Sequence, residues 1–292
     1  MKWEGQRESD NVEDMREQQS AGSPMLGGRG LSLGGIVIAL LASWAFGINP
    51  MTVLGLLDGG SLPVNSPAPQ QTRPGPKPQD PAARFVAAVL ADTEDVWGSY
   101  FEGRQQHYAA PKLVLFRDHW PTGCGQGEAA MGPFYCPADQ KVYIDLAFYA
   151  TLRDRLGAPG DFAQAYVIAH EVGHHLQQLM GTSAKLEEAR GRVSPTVYNG
   201  LSVRLELQAD CYAGVWAFHS QRGKDWLEQG DIAEALNAAA QIGDDTLQKR
   251  AQGRVVPESF THGSSAQRVS WFKRGLAQGE LAACDTFRAK QL

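Results

Sequence analysis

Hydrophobic and polar positions change their rhythm several times along the chain. Residues 1–29 read as a polar N-terminal tail, with Lys2, Arg7, Arg16 and Arg29 set among six acids. A run of 28 residues without a charge follows, from Gly30 to Leu57, and contains LSLGGIVIALLASWAFGIN. About 20 apolar residues cross a bilayer as a helix, so the pattern predicts a transmembrane span that Pro50 bends or ends. Buried core helices seldom run so long without a polar break, and a cleaved signal peptide has a shorter leader and a shorter apolar stretch. The reading is an uncleaved signal anchor over 30–57. Four basic residues precede it and the next one after it is Arg73, which favours an internal N-terminus and a C-terminal part outside. Residues 58–81 carry seven of the 16 prolines together with Gly, Ser and Gln, the composition of a semi-extended linker.

From residue 82 onward the alternation is that of a folded domain. RFVAAVLADTEDVWGSYF (84–101) places Phe85, Val89, Val96 and Trp97 at helical spacing. KLVLF (112–116) and KVYID (141–145) read as strands, with 121–140 as the loop between them. Beyond them helices are predicted at about 146–156, 162–180, 198–220, 231–242 and 265–277. The expectation is an α+β fold, mostly α, with a small sheet followed by a helical body and preceded by one transmembrane helix.

Composition narrows the choice of function. With 43% apolar and 20% charged residues over 292 positions, the chain can build a core and is not a disordered protein. A net charge of -5 leaves no basic footprint for nucleic acid. Cys124, Cys136, Cys211 and Cys284 are too few for a disulfide-dense scaffold and contain no Cys-x-x-Cys pair for a thiolate zinc site. Cys124 and Cys136 bracket a loop that a bridge would close, and a bridge from Cys211 to Cys284 would tie down the C-terminus. Three pairings and the reduced state are open at this point. An exported compartment permits bridges worth about 2–4 kcal/mol each.

The chemistry is carried by AYVIAHEVGHHLQQ, residues 165–178. His170 and His174 stand at i and i+4, one turn apart on one helix face, so both imidazoles can reach one metal ion. Glu171 lies beside them, placed to take a proton from a water on that metal. Gly173 costs about 1 kcal/mol inside a helix relative to Ala, which implies a close neighbour. A catalytic zinc needs a third protein ligand and an open position. The metzincin pattern would put a His where Met180 stands and a Gly where Gln177 stands, so that arrangement is excluded. RLELQADCYAG (204–214) offers Glu206 and Asp210, again at i and i+4. Glu206 is the leading third ligand, ahead of Glu187, Glu188 and His262, and Asp210 is placed to accept the outer N–H of a ligand histidine.

His-Glu-x-x-His followed by Glu-x-x-x-Asp resembles the gluzincin zinc peptidases. MKWEGQRESDNVEDMR, TGCG, MGPFYCPADQKVYID, HEVGHHLQ, ELQADCYAG, IGDD, PESFTHGSSAQR and CDTF together resemble the bacterial family described as putative neutral zinc metallopeptidases, over nearly the whole chain. The resemblance implies a zincin-like domain at 82–292 with one Zn2+ per chain held by His170, His174 and Glu206. It implies Glu171 as general base, a protein or peptide substrate, and a single-pass bacterial inner-membrane protein with its C-terminal domain on the extracytoplasmic side.

THGSSAQR (261–268) also resembles the Thr-His-Pro…Arg segment of membrane gluzincins, except that Gly263 replaces Pro. On that likeness His262 would donate to the developing oxyanion, or Arg268 would pair with Asp210. The plainer reading is a helix N-cap at Ser264 or Ser265. His175 is expected on the helix surface, Tyr198 and Tyr212 in the core, and His107, His119 and His219 have no constellation around them. KVYID is a candidate edge for a substrate backbone. Two other functions compete with a peptidase: a non-catalytic, zinc-stabilised envelope protein that binds a partner, and a zinc-dependent cell-wall or lipid hydrolase.

Overall fold

The computed structural model describes residues 1–18, 80–128 and 132–292. The expected span at 30–57 and nearly all of the linker lie outside the described residues; among the described residues no helix is long and apolar enough to cross a membrane. The described residues all belong to one compact unit.

The N-terminal segment, expected as a tail apart from the domain, instead belongs to it. Val12–Asp14 (β1) pairs in parallel with Lys112–Phe116 (β2), Val12 opposite Leu113 and Asp14 opposite Leu115. No local pattern predicts a strand in VED; non-local partners hold it. Glu13, only 7% exposed, accepts from Lys112 Nζ at 2.8 Å and Lys141 Nζ at 2.6 Å. Upstream, Arg7 donates to the Ala91 carbonyl, and the Met1 ammonium sits among Asp161, Glu228 and Asp231. The domain therefore runs from 1–18 to 80–292, and the boundary at 82 cuts through it.

Pro81–Glu102 (α1) starts where Asp80 caps the Ala83 N–H and Pro81 fills the first turn. Its buried face, Phe85 to Phe101, packs on the sheet and on the helices beyond. The segment expected as loop holds three short strands. His119–Thr122 (β3) and Gly125–Glu128 (β4) pair antiparallel, and Phe134–Cys136 (β5) pairs antiparallel with Lys141–Asp145 (β6). The main sheet has the order β1-β2-β6-β5. KVYID is thus an inner strand, flanked on both sides, and the outer strands are β1 and β5. These strands are too short for alternation to reveal.

The helical body follows: Ala147–Asp154 (α2), Asp161–Leu179 (α3), Thr182–Ala189 (α4), Pro195–Lys224 (α5), Asp231–Gln241 (α6), Asp244–Gln252 (α7) and Ser265–Gln278 (α8). α4 and α7 are short and were not predicted. α3, central to the core, buries Phe162, Tyr166, Ile168, Val172 and Leu176. α5 and α8 cross through glycines: a Cβ on Gly275 would collide with the Cys211 carbonyl, and one on Gly214 with the Phe272 carbonyl. Disulfides join Cys124 to Cys136 and Cys211 to Cys284, with Cα separations of 5.8 and 5.6 Å, and no cysteine is free among the described residues.

Candidate metal centre

α3 carries the His-Glu-x-x-His segment and α5 meets it at the glycine. A Cβ on Gly173 would stand 3.0 Å from the Ala209 carbonyl and 3.3 Å from its side chain. This close approach is what the helix cost at Gly173 implies. It sets Glu206, three residues before Ala209, over the two histidines. Glu206 Oε2 lies 3.2 Å from His170 Nε2, and Oε1 lies 3.5 Å from His174 Nε2. One ligand atom from each of the three residues falls within 4.8 Å of the others.

The opposite ring nitrogens are already engaged. His170 Nδ1 donates to Asp210 at 2.8 Å and His174 Nδ1 meets Gln177 Oε1 at 2.8 Å. Those bonds leave both Nε2 atoms to face the same point as the Glu206 carboxylate. Two imidazole nitrogens and one carboxylate form a donor set that fits zinc with a coordination position to spare. Glu187 and Glu188 do not join this group: Glu187 lines the cleft but pairs with Arg190 at the surface. A second acidic group, Asp161, Asp231 and Glu234, surrounds the Met1 ammonium.

Asp210 is the hub beneath the site. Fully buried, it also accepts from Tyr166 Oη at 2.5 Å and from Arg268 Nε and Nη2 at 2.9 Å each. Burial alone would raise its pKa; the charges of Arg268 and His170 win and hold it at about 2. Burial disfavours a proton on His170, yet Asp210 and Glu206 push its pKa up to about 10. A proton held there competes with metal, so loading of the site depends on pH. Burial likewise works against ionised Glu206, but the imidazoles of His174 and His170 hold its carboxyl well below the usual range. Glu171 goes the other way: burial lifts its carboxyl and the two imidazoles only partly oppose it. A carboxylate of raised basicity suits proton transfer.

These groups floor a cleft of about 790 Å³, walled by Phe134, Tyr135, Phe148, Leu156, Ile242 and Leu247. His262 stands half-exposed at its rim, outside the ligand group. Its loop is pinned by Asp244, whose carboxylate accepts the N–H groups of Thr261, His262 and Gly263 at 2.8, 2.7 and 3.0 Å. Asp244 also raises the His262 pKa, through its hydrogen bond and its charge. Arg268 pairs with Asp210 as expected, and Ser264 caps α8 in a capping box with Gln267. The Arg268–Asp210 pair and the N-cap therefore coexist in this segment.

His175 departs from expectation. It is buried, with Nδ1 3.0 Å from the Tyr135 hydroxyl of β5 and Nε2 donating to the Ala109 carbonyl at 2.6 Å. Tyr198 is also displaced, half-buried beneath Arg190. Tyr166, Gln177 and Asp244 were missed. Gln177 lay within the motif as a mark against metzincins, and Asp244 lay in the quoted IGDD.

The model of the putative neutral zinc metallopeptidases matches residues 1–287. The chain belongs to that family. It is 52% identical over 293 residues to uncharacterized protein YpfJ of Escherichia coli, covering 98% of this chain and 99% of the relative. It is 41% identical over 226 residues to uncharacterized protein Mb2605 of Mycobacterium bovis, covering 72% and 74%. No solved structure matches it. The family's description agrees with zinc as the metal for His170, His174 and Glu206.

Proposed function

We propose that the protein hydrolyses peptide bonds, as a zinc-dependent endopeptidase attached to the bacterial inner membrane. The observation that carries this reading is the convergence of His170, His174 and Glu206 beside a buried Glu171 at the floor of an open cleft. Among the described residues no fourth ligand joins the three, which favours a catalytic over a structural site. Zinc held there would polarise the scissile carbonyl and acidify water. Glu171 takes a proton from the attacking water at its carboxylate and returns it to the leaving amine. His262, at the rim, donates to the oxygen that gains charge as the carbonyl is attacked.

An extended protein or peptide substrate adds to the free edge of β5, whose Phe134 and Tyr135 line the cleft, through main-chain hydrogen bonds. Two disulfides support an oxidising, extracytoplasmic setting for the domain. Glu171→Gln is expected to keep zinc bound while cleavage of an unfolded protein substrate drops by about 10²–10⁴-fold. Cleavage near the wild-type rate by the Gln variant would eliminate Glu171 as the base.

A further inference from the structure

The two flanks of the uncharged run are fastened to each other. β1 runs in register along β2, and the Met15 N–H donates to the Leu115 carbonyl at 2.9 Å. Arg16 Nη2 then meets Asp80 Oδ2 at 2.6 Å, while the other Asp80 oxygen caps α1 at 3.0 Å. The same guanidinium grips Asp14 through Nε and Nη2 at 2.8 and 2.6 Å. Arg16 and Asp80, on either side of the uncharged run, thus stand within ion-pair distance of each other.

A single crossing by 30–57 would place residues 1–18 and 80–292 on opposite sides of a bilayer. β1 would be torn from β2, and Glu13 from Lys112 and Lys141. A second crossing has no sequence to make it. Residues 58–79 carry Asp58, Arg73, Lys77 and six prolines, and no apolar stretch approaches the required length of about 20 residues. Unpaired backbone groups in hydrocarbon cost several kcal/mol each. Yet 28 consecutive uncharged residues, rich in Leu and Ile, have an affinity for lipid.

We infer that residues 1–18 and 80–292 lie on the same side of the membrane to which the chain is attached. The N-terminal strand and the metal centre then share one face of the bilayer. This holds whether or not the metal centre is catalytic.

The test uses the full chain in its own membrane, with Glu17→Cys or Lys249→Cys introduced singly at exposed positions on either flank. The four native cysteines are held in disulfides. Sealed spheroplasts are treated with a membrane-impermeant maleimide, and labelling in detergent gives each position's full extent. The expected result is that both positions label to the same fraction of that extent before lysis, whether both are reactive or both protected. One position reactive while the other stays protected would overturn the inference, as would recovery of the chain in the soluble fraction after cell breakage.

Discussion

Asp210→Asn tests the hub beneath the metal centre with almost no change in volume. The carboxylate accepts from His170 Nδ1, Tyr166 Oη and two Arg268 nitrogens, all within 2.9 Å. An amide offers one acceptor oxygen and turns an N–H₂ group toward donors. Arg268, 3% exposed, then keeps its charge without a counter-ion. Breaking a buried pair from one side costs about 3–5 kcal/mol. For a domain of this size that lowers Tm by about 6–20 °C.

His170 also loses the group that fixes its tautomer, so zinc affinity should fall by about 10–100-fold. Acid stability offers a separate readout. Folded, the Asp210 carboxyl sits at about 2 against an ordinary 3.8, a difference worth about 2 kcal/mol. Between these values the unfolded chain binds more protons. The contribution is therefore complete above about pH 4 and is lost as pH falls toward 2. Thermal melts of the full chain from pH 7 down to 3, with zinc titrations at neutral pH, measure all three effects. A variant with wild-type Tm and wild-type zinc affinity would refute the assignment of Asp210 as hub.

Other expectations follow from the same geometry. Full-length protein purified without chelator should carry one zinc per chain, and Glu206→Ala should lose it on metal analysis; an undiminished zinc content would remove Glu206 from the ligand set. Gly275→Ala forces a methyl into the Cys211 carbonyl and should cost about 1–3 kcal/mol by denaturant melt, whereas no loss would mean that α5 and α8 separate freely. His262→Ala should lower kcat while leaving zinc content and melting unchanged, and a rise in KM alone would make the residue a binding contact only.

The candidate metal group was legible because its spacing is local. His170 with His174, and Glu206 with Asp210, each repeat one helical turn, and the apolar residues around them mark both helices as buried. What escaped depends on partners distant in sequence. β1 is three residues with two acids, and it becomes a strand only because Lys112 and Lys141 neutralise Glu13 from across the sheet. β5 is equally short, and its place as the edge follows from pairing with β6. Tyr166 looks like core from its neighbours; its hydroxyl finds Asp210 only after α5 packs on α3. Reading the N-terminus as a tail followed from its charge, which the folded domain absorbs almost completely.

The bond between Tyr135 and His175 links two parts of the cleft that serve different ends. Tyr135 belongs to the strand edge along which a peptide would lie, and His175 directly follows His174, a proposed metal ligand on α3. With the Ala109 carbonyl holding the far side of the imidazole, strand and helix are braced as one strut. For a peptidase, the offset between a peptide's hydrogen-bonding frame and the point of scission would then be a built-in length, like the stop on a cutting gauge. Peptides of nested length, threaded along that edge, would be trimmed at a constant distance from the residue seated against Tyr135.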